Sequence, residues 1–385
     1  MTDPQFVSLA RLRERAAELG LSLGVSRATP GPEAGHLERW LALGRHGEMA
    51  WLARDPERRS DPGRVVEGAR AVISVGMSYY GGELQGPSDR RPRGRIARYA
   101  LGDDYHDVLL GRVRKLAELL GDDEARAYVD TGPVLEKAWA QRSGLGWIGK
   151  HTNNVSQEHG SWWFLGAIVT RREIEPTEPM EDHCGTCNNC FDACPTGAIR
   201  ADRPGEMDAR LCISYLTIEL RGAIPRELRP KIGNWIFGCD LCLDVCPFNR
   251  FAEVTPEPRL LPRPELVYPD LEEMLSWSQE RFSEVLKGSP IKRTKRRGLL
   301  RNVAVALGNS GDRSVIPALA RCLRQEKEPL VRGHAAWALG RLGGDDAEAA
   351  LQTGLADADP FVAEEAALAL AELRSPPGPE SAGRE

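Results

Sequence analysis

Eight of the nine cysteines in this 385-residue chain fall into two runs. The first is Cys184-x2-Cys187-x2-Cys190-x3-Cys194-Pro195. The second is Cys212, then Cys239-x2-Cys242-x3-Cys246-Pro247. Thiolates so closely spaced suit a cluster of irons or a tetrahedral zinc. The x2, x2, x3-Pro spacing is the ligand pattern of two 4Fe–4S clusters, in which the fourth cysteine of each run ligates the other cluster. By that rule Cys184, Cys187, Cys190 and Cys246 hold cluster 1, and Cys194, Cys212, Cys239 and Cys242 hold cluster 2. Cys194 and Cys246 then cross between the runs, so the two centres must lie close together as a short relay. Zinc sites rarely need four cysteines in one run before a proline. Disulfides fit poorly, because nothing marks the chain as secreted. The chain is therefore expected to move single electrons. The ninth cysteine, Cys322, sits in a helical stretch and reads as a small core residue.

A chain of this length should hold two or three domains. Its 41% hydrophobic and 28% charged residues fit a soluble globular protein. A formal charge of −5 does not by itself announce a nucleic-acid binder. No apolar run approaches the length of a membrane span. The N-terminus carries charges throughout and lacks the apolar stretch or twin arginine of an export signal. It reads as an amphipathic helix with Phe6, Leu9, Ala10, Leu12, Ala16 and Leu19 near one face. Clusters and free thiols survive best in a reducing compartment, so a cytoplasmic protein is expected. The hydrophobic stripes can all be used internally, which favours a monomer.

Four regions follow along the chain. Residues 1–180 read as a mixed α/β domain, with helical patterns at 3–20, 33–53 and 103–121. Its strand candidates are 71–77, 125–129 and 161–170. Residues 181–250 form the two-cluster, ferredoxin-like module. Residues 251–290 are proline-rich at first and read as a connector with one short helix. Residues 291–385 repeat: NVAVALG (302–308), HAAWALG (334–340) and EAALAL (365–370) recur at about 31 to 32 residues. This is a helix-pair repeat of HEAT type, followed by a disordered tail. A helical cap on the core and a docking surface for a large partner are both compatible with it. Lys287, Lys292, Arg293, Lys295, Arg296, Arg297 and Arg301 crowd its start without a carboxylate among them. Such a segment is a solvated face or a match for a phosphate backbone.

Clusters pass electrons but do not choose a substrate, so a pocket is expected within 1–180. The densest stretch there is DTGPVLEKAWAQRSGLGWIGKH (130–151). Asp130 ends a strand candidate before a Thr-Gly-Pro turn, at the mouth of an α/β sheet, where ligands often bind. A helix N-cap or turn residue is the plainer reading. Gly144, Gly146 and Gly149 have the G-x-G-x-x-G spacing but follow a helix rather than open one, so a dinucleotide site is not supported. Asp104-x-His106 begins a cobalamin-ligand motif, but position 109 is Leu where that motif needs glycine. A histidine-ligated cobalamin is therefore not supported. Arg59 is either an anion contact or an ordinary surface cation.

Together these segments resemble the epoxyqueuosine reductases, which complete the tRNA base queuosine. HGEMAWLAR (46–54), ARYALGDDYH (97–106), DTGPVLEK (130–137), GLGWIGK (144–150), CISYLTIELRGAIP (212–225), GCDLCLDVCPFNR (238–250) and RNVAVALGN (301–309) carry the resemblance along most of the chain. It implies a reductive-dehalogenase-like cobalamin domain, two 4Fe–4S clusters, a HEAT-like repeat and a tRNA substrate. It also implies that Asp130 is the proton donor, and that Arg59, Asp130, Lys150, His151, Ser161 and Ser214 lie near the cobalamin. Lys292, Arg293, Lys295, Arg296, Arg297 and Arg301 would then hold tRNA, and an external donor, which the sequence does not name, would supply the electrons. A small-molecule reductive dehalogenase would share the cofactors, but the repeat tail argues against it. A simple electron carrier would leave the large upstream domain without a purpose.

Overall fold

The computed structural model describes residues 7–374. Phe6 and the tail expected to be disordered lie outside the described residues. The N-terminal part is built on a four-stranded sheet. Its strands are β1 (Ser22–Arg27), β2 (Ala71–Ser78), β3 (Arg126–Tyr128) and β4 (Trp163–Thr170), in the order β1-β2-β4-β3. Every pairing is antiparallel: Val25 faces Ile73, Ile73 faces Ile168, and Ile168 faces Ala127. β2 and β4 are apolar almost without a break because both faces of the sheet are covered. Helices α1 (Leu9–Glu18) and α2 (Tyr105–Ala117) bring Leu12, Ala16, Leu109, Val113 and Leu116 onto Ile73, Val75 and Ile168. Helix α3 (Glu136–Arg142) brings Trp139 onto Val72, Ala167 and Val169 on the other face. Alternation along each strand sends neighbouring residues to these two cores.

Two sequence expectations change here. The sheet is antiparallel, so the rule that ligands gather at the carboxyl ends of parallel strands does not account for the place of Asp130. Strand β1 had no sequence signal strong enough to name it. Gly24 explains its place: a side chain there would meet the Ser143 carbonyl at 2.1 Å, so the strand presses directly against the end of α3. The first helical pattern is shorter than its periodicity suggests, starting at Leu9.

The cysteine segment is looped, with short helices at Asn189–Asp192, α4 (Ile213–Ile218) and Leu241–Asp244. Trp235–Phe237 pairs in parallel with Arg95–Ile96, which ties this segment to the N-terminal part. Residues 251–290 do more than connect. They carry two short helices, Leu271–Leu275 and Gln279–Val285, rather than one. Leu271, Met274, Trp277 and Phe282 are buried in one core with Leu216 and Phe237.

That same core continues into the repeat. Its helices are α5 (Lys295–Asn309), α6 (Ile316–Gln325), α7 (Pro329–Leu342), α8 (Asp345–Gly354) and α9 (Pro360–Arg374). α5 packs on α7 and α7 on α9, with α6 and α8 against them. The recurring glycines set this spacing. A side chain at Gly308 would meet Ala338 at 2.8 Å, and one at Gly340 would meet Ala369 at 2.7 Å. Cys322 is buried in α6 among apolar neighbours.

Candidate active site

Asp130 stands two residues beyond β3, on the turn that leads to α3. Its φ of 58° is left-handed, which costs an ordinary residue about 1–2 kcal/mol. The turn is held from both sides. A side chain at Gly132 would strike the Tyr128 ring at 2.4 Å, so glycine is needed there. Arg59 donates to the Gly132 carbonyl at 3.3 Å and to the Trp51 carbonyl at 3.1 Å. Asp130 caps no helix: the N-cap of α3 is Leu135.

The Asp130 carboxylate faces His106 of α2, with Oδ2 3.3 Å from Nε2. The other ring nitrogen, Nδ1, lies 2.6 Å from Asp104 Oδ1. The imidazole stacks on Tyr105, at 4.1 Å between ring centroids, and Tyr105 stacks on Phe164 of β4 at 4.2 Å. Burial would push the Asp130 carboxyl up, but the hydrogen bond and charge of His106, the Tyr105 hydroxyl and Arg293 outweigh it and hold it below the ordinary range. For His106, burial pulls down, while the hydrogen bonds and charges of Asp104 and Asp130 win and lift it to about 9. The two shifts favour a carboxylate on Asp130 and a protonated ring on His106.

Solvent reaches Asp130 and Lys137, yet burial is the largest influence on both. With Arg293 facing Asp130 and Lys137 beside it, we take the recess between the turn, the start of α3 and Arg293 as the candidate cleft. Lys137 Nζ donates to the Thr152 carbonyl at 3.0 Å and to Asn153 Oδ1 at 2.7 Å. Burial, with Asp130 next, pushes the neighbouring Glu136 up to about 8. Glu136 Oε1 and both amide atoms of Asn154 are buried without a hydrogen-bond partner. Buried polar atoms in native proteins are rarely left so, and a bound polar ligand would satisfy them. A cleft with these donors and acceptors suits a large polar cofactor.

The cysteines gather in two groups. Burial raises the Cys190 thiol to about 11, and Cys184, Cys187 and Cys246 then add to it. Burial likewise raises Cys242, followed by Cys212, Cys239 and Cys194. Cys190 and Cys242 thus each have three cysteine neighbours. All nine cysteines are free thiols. Among the described residues no three His, Cys, Asp or Glu side chains close round a single-ion site. The second quartet borders the cleft: Cys212 and Cys242 both act on Lys137.

The residues expected near a cobalamin separate. Arg59, from the short helix Pro56–Ser60, stays with Asp130 by holding the Gly132 carbonyl of its turn. Ser214 opens α4, and its backbone N–H is directed at the Cys212 thiol. Lys150 does not reach the cleft. Its ammonium is spent on the first cysteine loop, on the carbonyls of Gly185 (2.7 Å) and Cys187 (2.9 Å) and on Asn188 Oδ1 (3.3 Å). His151 and Ser161 are buried, 3.3 Å apart, and the Ser161 hydroxyl faces the Cys246 thiol. His151 Nδ1 accepts from the Asn153 N–H at 3.2 Å. Burial and then Lys137 lower the His151 imidazole to about 4, so it stays neutral. With both ring nitrogens engaged, it supports the first quartet. The sequence missed His106 and Tyr105 as neighbours of Asp130, although ARYALGDDYH had drawn notice.

The basic segment also divides. Arg301 is 1% exposed and donates to the carbonyls of Leu216, Leu220 and Gly222 (2.7–2.8 Å) and to Asn302 Oδ1. It has no access to a phosphate. Arg296 is clasped by Glu326 at 2.5 Å and by the Trp277 carbonyl at 2.7 Å. Arg293 turns toward the cleft, paired with Glu219 at 2.8 Å and lying over the Trp51 ring. Lys292, Lys295 and Arg297 are exposed, and among the described residues none has an ion-pair partner.

Known proteins match this arrangement over nearly its whole length. A family model described as epoxyqueuosine reductase QueG, DUF1730, matches residues 59–131. A 4Fe-4S double cluster binding domain matches 183–249, and HEAT repeats match 293–377. An epoxyqueuosine reductase of Xanthomonas campestris is 44% identical over 87% of this chain and 96% of its own. That of Escherichia coli is 41% identical over 88% of this chain and 91% of its own. An epoxyqueuosine reductase solved with an epoxyqueuosine-modified tRNA stem loop superposes with a TM-score of 0.88 at 30% identity, covering 95% of this chain and 98% of that one. The Bacillus subtilis enzyme, solved with an aspartate catalytic loop swung out of its active site, gives 0.86 at 30% identity over the same shares. The chain belongs to the epoxyqueuosine reductase family.

Proposed function

We propose that this protein reduces the epoxide of epoxyqueuosine to the alkene of queuosine in the anticodon of tRNA. The observation that carries the reading is the strained Asp130 turn, set over a cleft that the second cysteine quartet borders, in a chain of this family. Removing the epoxide oxygen as water takes two electrons and two protons. The two cysteine quartets would hold two 4Fe–4S clusters that supply electrons singly, and a cobalamin bound in the cleft would supply a centre able to gather two reducing equivalents. Arg59, Asp130, Glu136, Lys137 and Asn154 would hold that cofactor. Electrons from an external donor would pass by way of the first quartet to the second, which lies nearer Lys137.

The residues of the chain do the rest. Opening the strained ring leaves oxygen with growing negative charge, and a positioned acid speeds that step by about 10²- to 10⁴-fold. Asp130 delivers this proton. Lys292, Lys295 and Arg297 meet the phosphates of the stem while the base is splayed into the cleft. The reaction is cytoplasmic, and the protein acts as a monomer. The test is turnover of epoxyqueuosine-containing tRNA by cobalamin-loaded protein with a chemical reductant, read by nucleoside mass spectrometry. Queuosine is expected; none from protein with full cluster and corrinoid absorption overturns the reading. Asp130→Asn is expected to lose at least about 100-fold in rate with both absorptions intact.

A further inference from the structure

Asp104-x-His106 is the one motif in the cleft that the reaction above leaves without a task. Its histidine has both ring nitrogens engaged by carboxylates, Asp104 at 2.6 Å and Asp130 at 3.3 Å. Stacking on Tyr105, itself stacked on Phe164 of β4, fixes the plane of the ring against the sheet. Asp104 also accepts from the His106 backbone N–H at 3.1 Å as the N-cap of α2, so the same carboxylate sets the helix end and the ring. We propose that His106 is the proton reservoir of the active site, an imidazolium that recharges Asp130 during each turnover. The proposal rests on the reaction proposed above and deepens it.

The step balances without any electron transfer. The Nε2–H bond of His106 breaks as an O–H bond forms on Asp130. Asp130 passes this proton to the epoxide oxygen as the first ring C–O bond opens. Neutral imidazole then recovers a proton from solvent and recharges Asp130, and that second proton leaves with the oxygen as water when the second C–O bond breaks; the two electrons come from the external donor. Several charged or titratable groups surround this pair. They are Asp104 and Tyr105 on α2, Tyr99 before it, Arg293 across the cleft, and Glu136 and Lys137 at the start of α3. Asp104 and Asp130 favour the imidazolium and Arg293 favours the Asp130 carboxylate, so an ion pair is the resting state. His106 acts through Asp130 and is a positioning residue.

Two measurements test this. The first is NMR of imidazole nitrogens in the holoenzyme, with His106→Gln identifying the resonance. His106 is expected to keep both protons past pH 8 and to lose that preference in Asp130→Asn. Titration near the ordinary histidine value of about 6.5 overturns the proposal, whether or not the enzyme turns over. The second is single-turnover rate against pH. The wild-type rate should hold through neutrality and fall only as His106 loses its proton, near pH 9. In His106→Gln the Asp130 carboxyl stands alone, so the rate should already fall tenfold per pH unit between 6 and 8. It should be down about 100-fold at pH 7.5, with tRNA affinity and cluster absorption unchanged. A variant profile parallel to the wild type would show a purely structural histidine and overturn the relay. Absence of queuosine from wild-type protein instead overturns the proposed reaction, and the NMR titration still decides the relay.

Discussion

Arg301 carries a full charge in a place almost without water, and three backbone carbonyls at the end of α4 are its reason for being there. Burial lowers its guanidinium to about 9, and the nearby Arg221 cation adds to the effect. The guanidinium fork is the side chain that can serve carbonyls of Leu216, Leu220 and Gly222 at once. Arg301→Met fills much of the same volume but leaves those acceptors unpaired, at about 1–3 kcal/mol each. We expect a loss of about 3–5 kcal/mol in chemical denaturation, with no specific effect on tRNA affinity in the folded fraction. The sequence could not have told this residue from its neighbours, because charge density alone places seven cations on one face. Asp130 is the converse case. Its motif made it legible, but the direction of its pKa depends on His106, which is 24 residues away in sequence and adjacent only through packing on β4. Spacing identifies the residue types of a site, whereas the sign of an electrostatic effect belongs to contacts.

At the scale of elements, the start of α5 and the tight turn Pro290–Thr294 before it sort the cations by geometry. Successive side chains turn by about 100°, so a run of basic residues cannot all face one partner. Arg301 points into the core, Arg296 reaches Glu326 at the end of α6, and Lys292, Lys295 and Arg297 remain outside. Only the last three are free to displace counterions from a tRNA stem. Reversing their charge together should weaken tRNA binding and reduce the slope of log affinity against log salt by about three, one per lost phosphate contact. Arg296→Glu makes a useful contrast. It sets two carboxylates against each other at Glu326 and should lower stability while leaving the salt slope of folded protein unchanged. Equal loss of slope from Arg296→Glu would mean that the Glu326 clasp opens on binding. The repeat itself was legible because its glycines and alanines recur at sites of close helix approach, Gly308 on Ala338 and Gly340 on Ala369. β1 and the buried role of residues 251–290 were not, because each depends on a partner distant in sequence.

At the scale of the whole molecule, the repeat is fused to the cysteine segment through buried polar contacts. Glu365 of α9 receives Arg229 at 2.6 Å and also pairs with Arg226, both from the stretch after α4. His334 of α7 reaches the same stretch: its Nε2 accepts the Ile224 N–H at 3.2 Å while its Nδ1 donates to the Leu330 carbonyl at 2.7 Å. That pattern requires a neutral ring. Burial, with Arg229 and Arg301 adding to it, holds the His334 imidazole well below its ordinary value. The sign follows from proton counting. The unfolded chain takes up a proton at His334 below about pH 6.5 that the folded protein excludes. Stability from this residue is therefore present above pH 6.5 and is lost as pH falls from there toward the folded value. The slope is about 1.4 kcal/mol per pH unit. Other groups titrate in the same window, Glu136 among them, so the total pH dependence does not isolate His334. A comparison with His334→Gln does, because glutamine can accept from Ile224 but cannot take up a proton. The variant should be less stable than wild type at pH 8, by about 1–3 kcal/mol for the imperfectly replaced hydrogen bonds. That deficit should shrink by about 1.4 kcal/mol per unit as pH drops below 6.5, and denaturation midpoints at matched pH measure it. A deficit constant from pH 8 to pH 5 would mean that His334 binds a proton in the folded state. The repeat would then have to give way at Ile224, where it meets the cysteine segment.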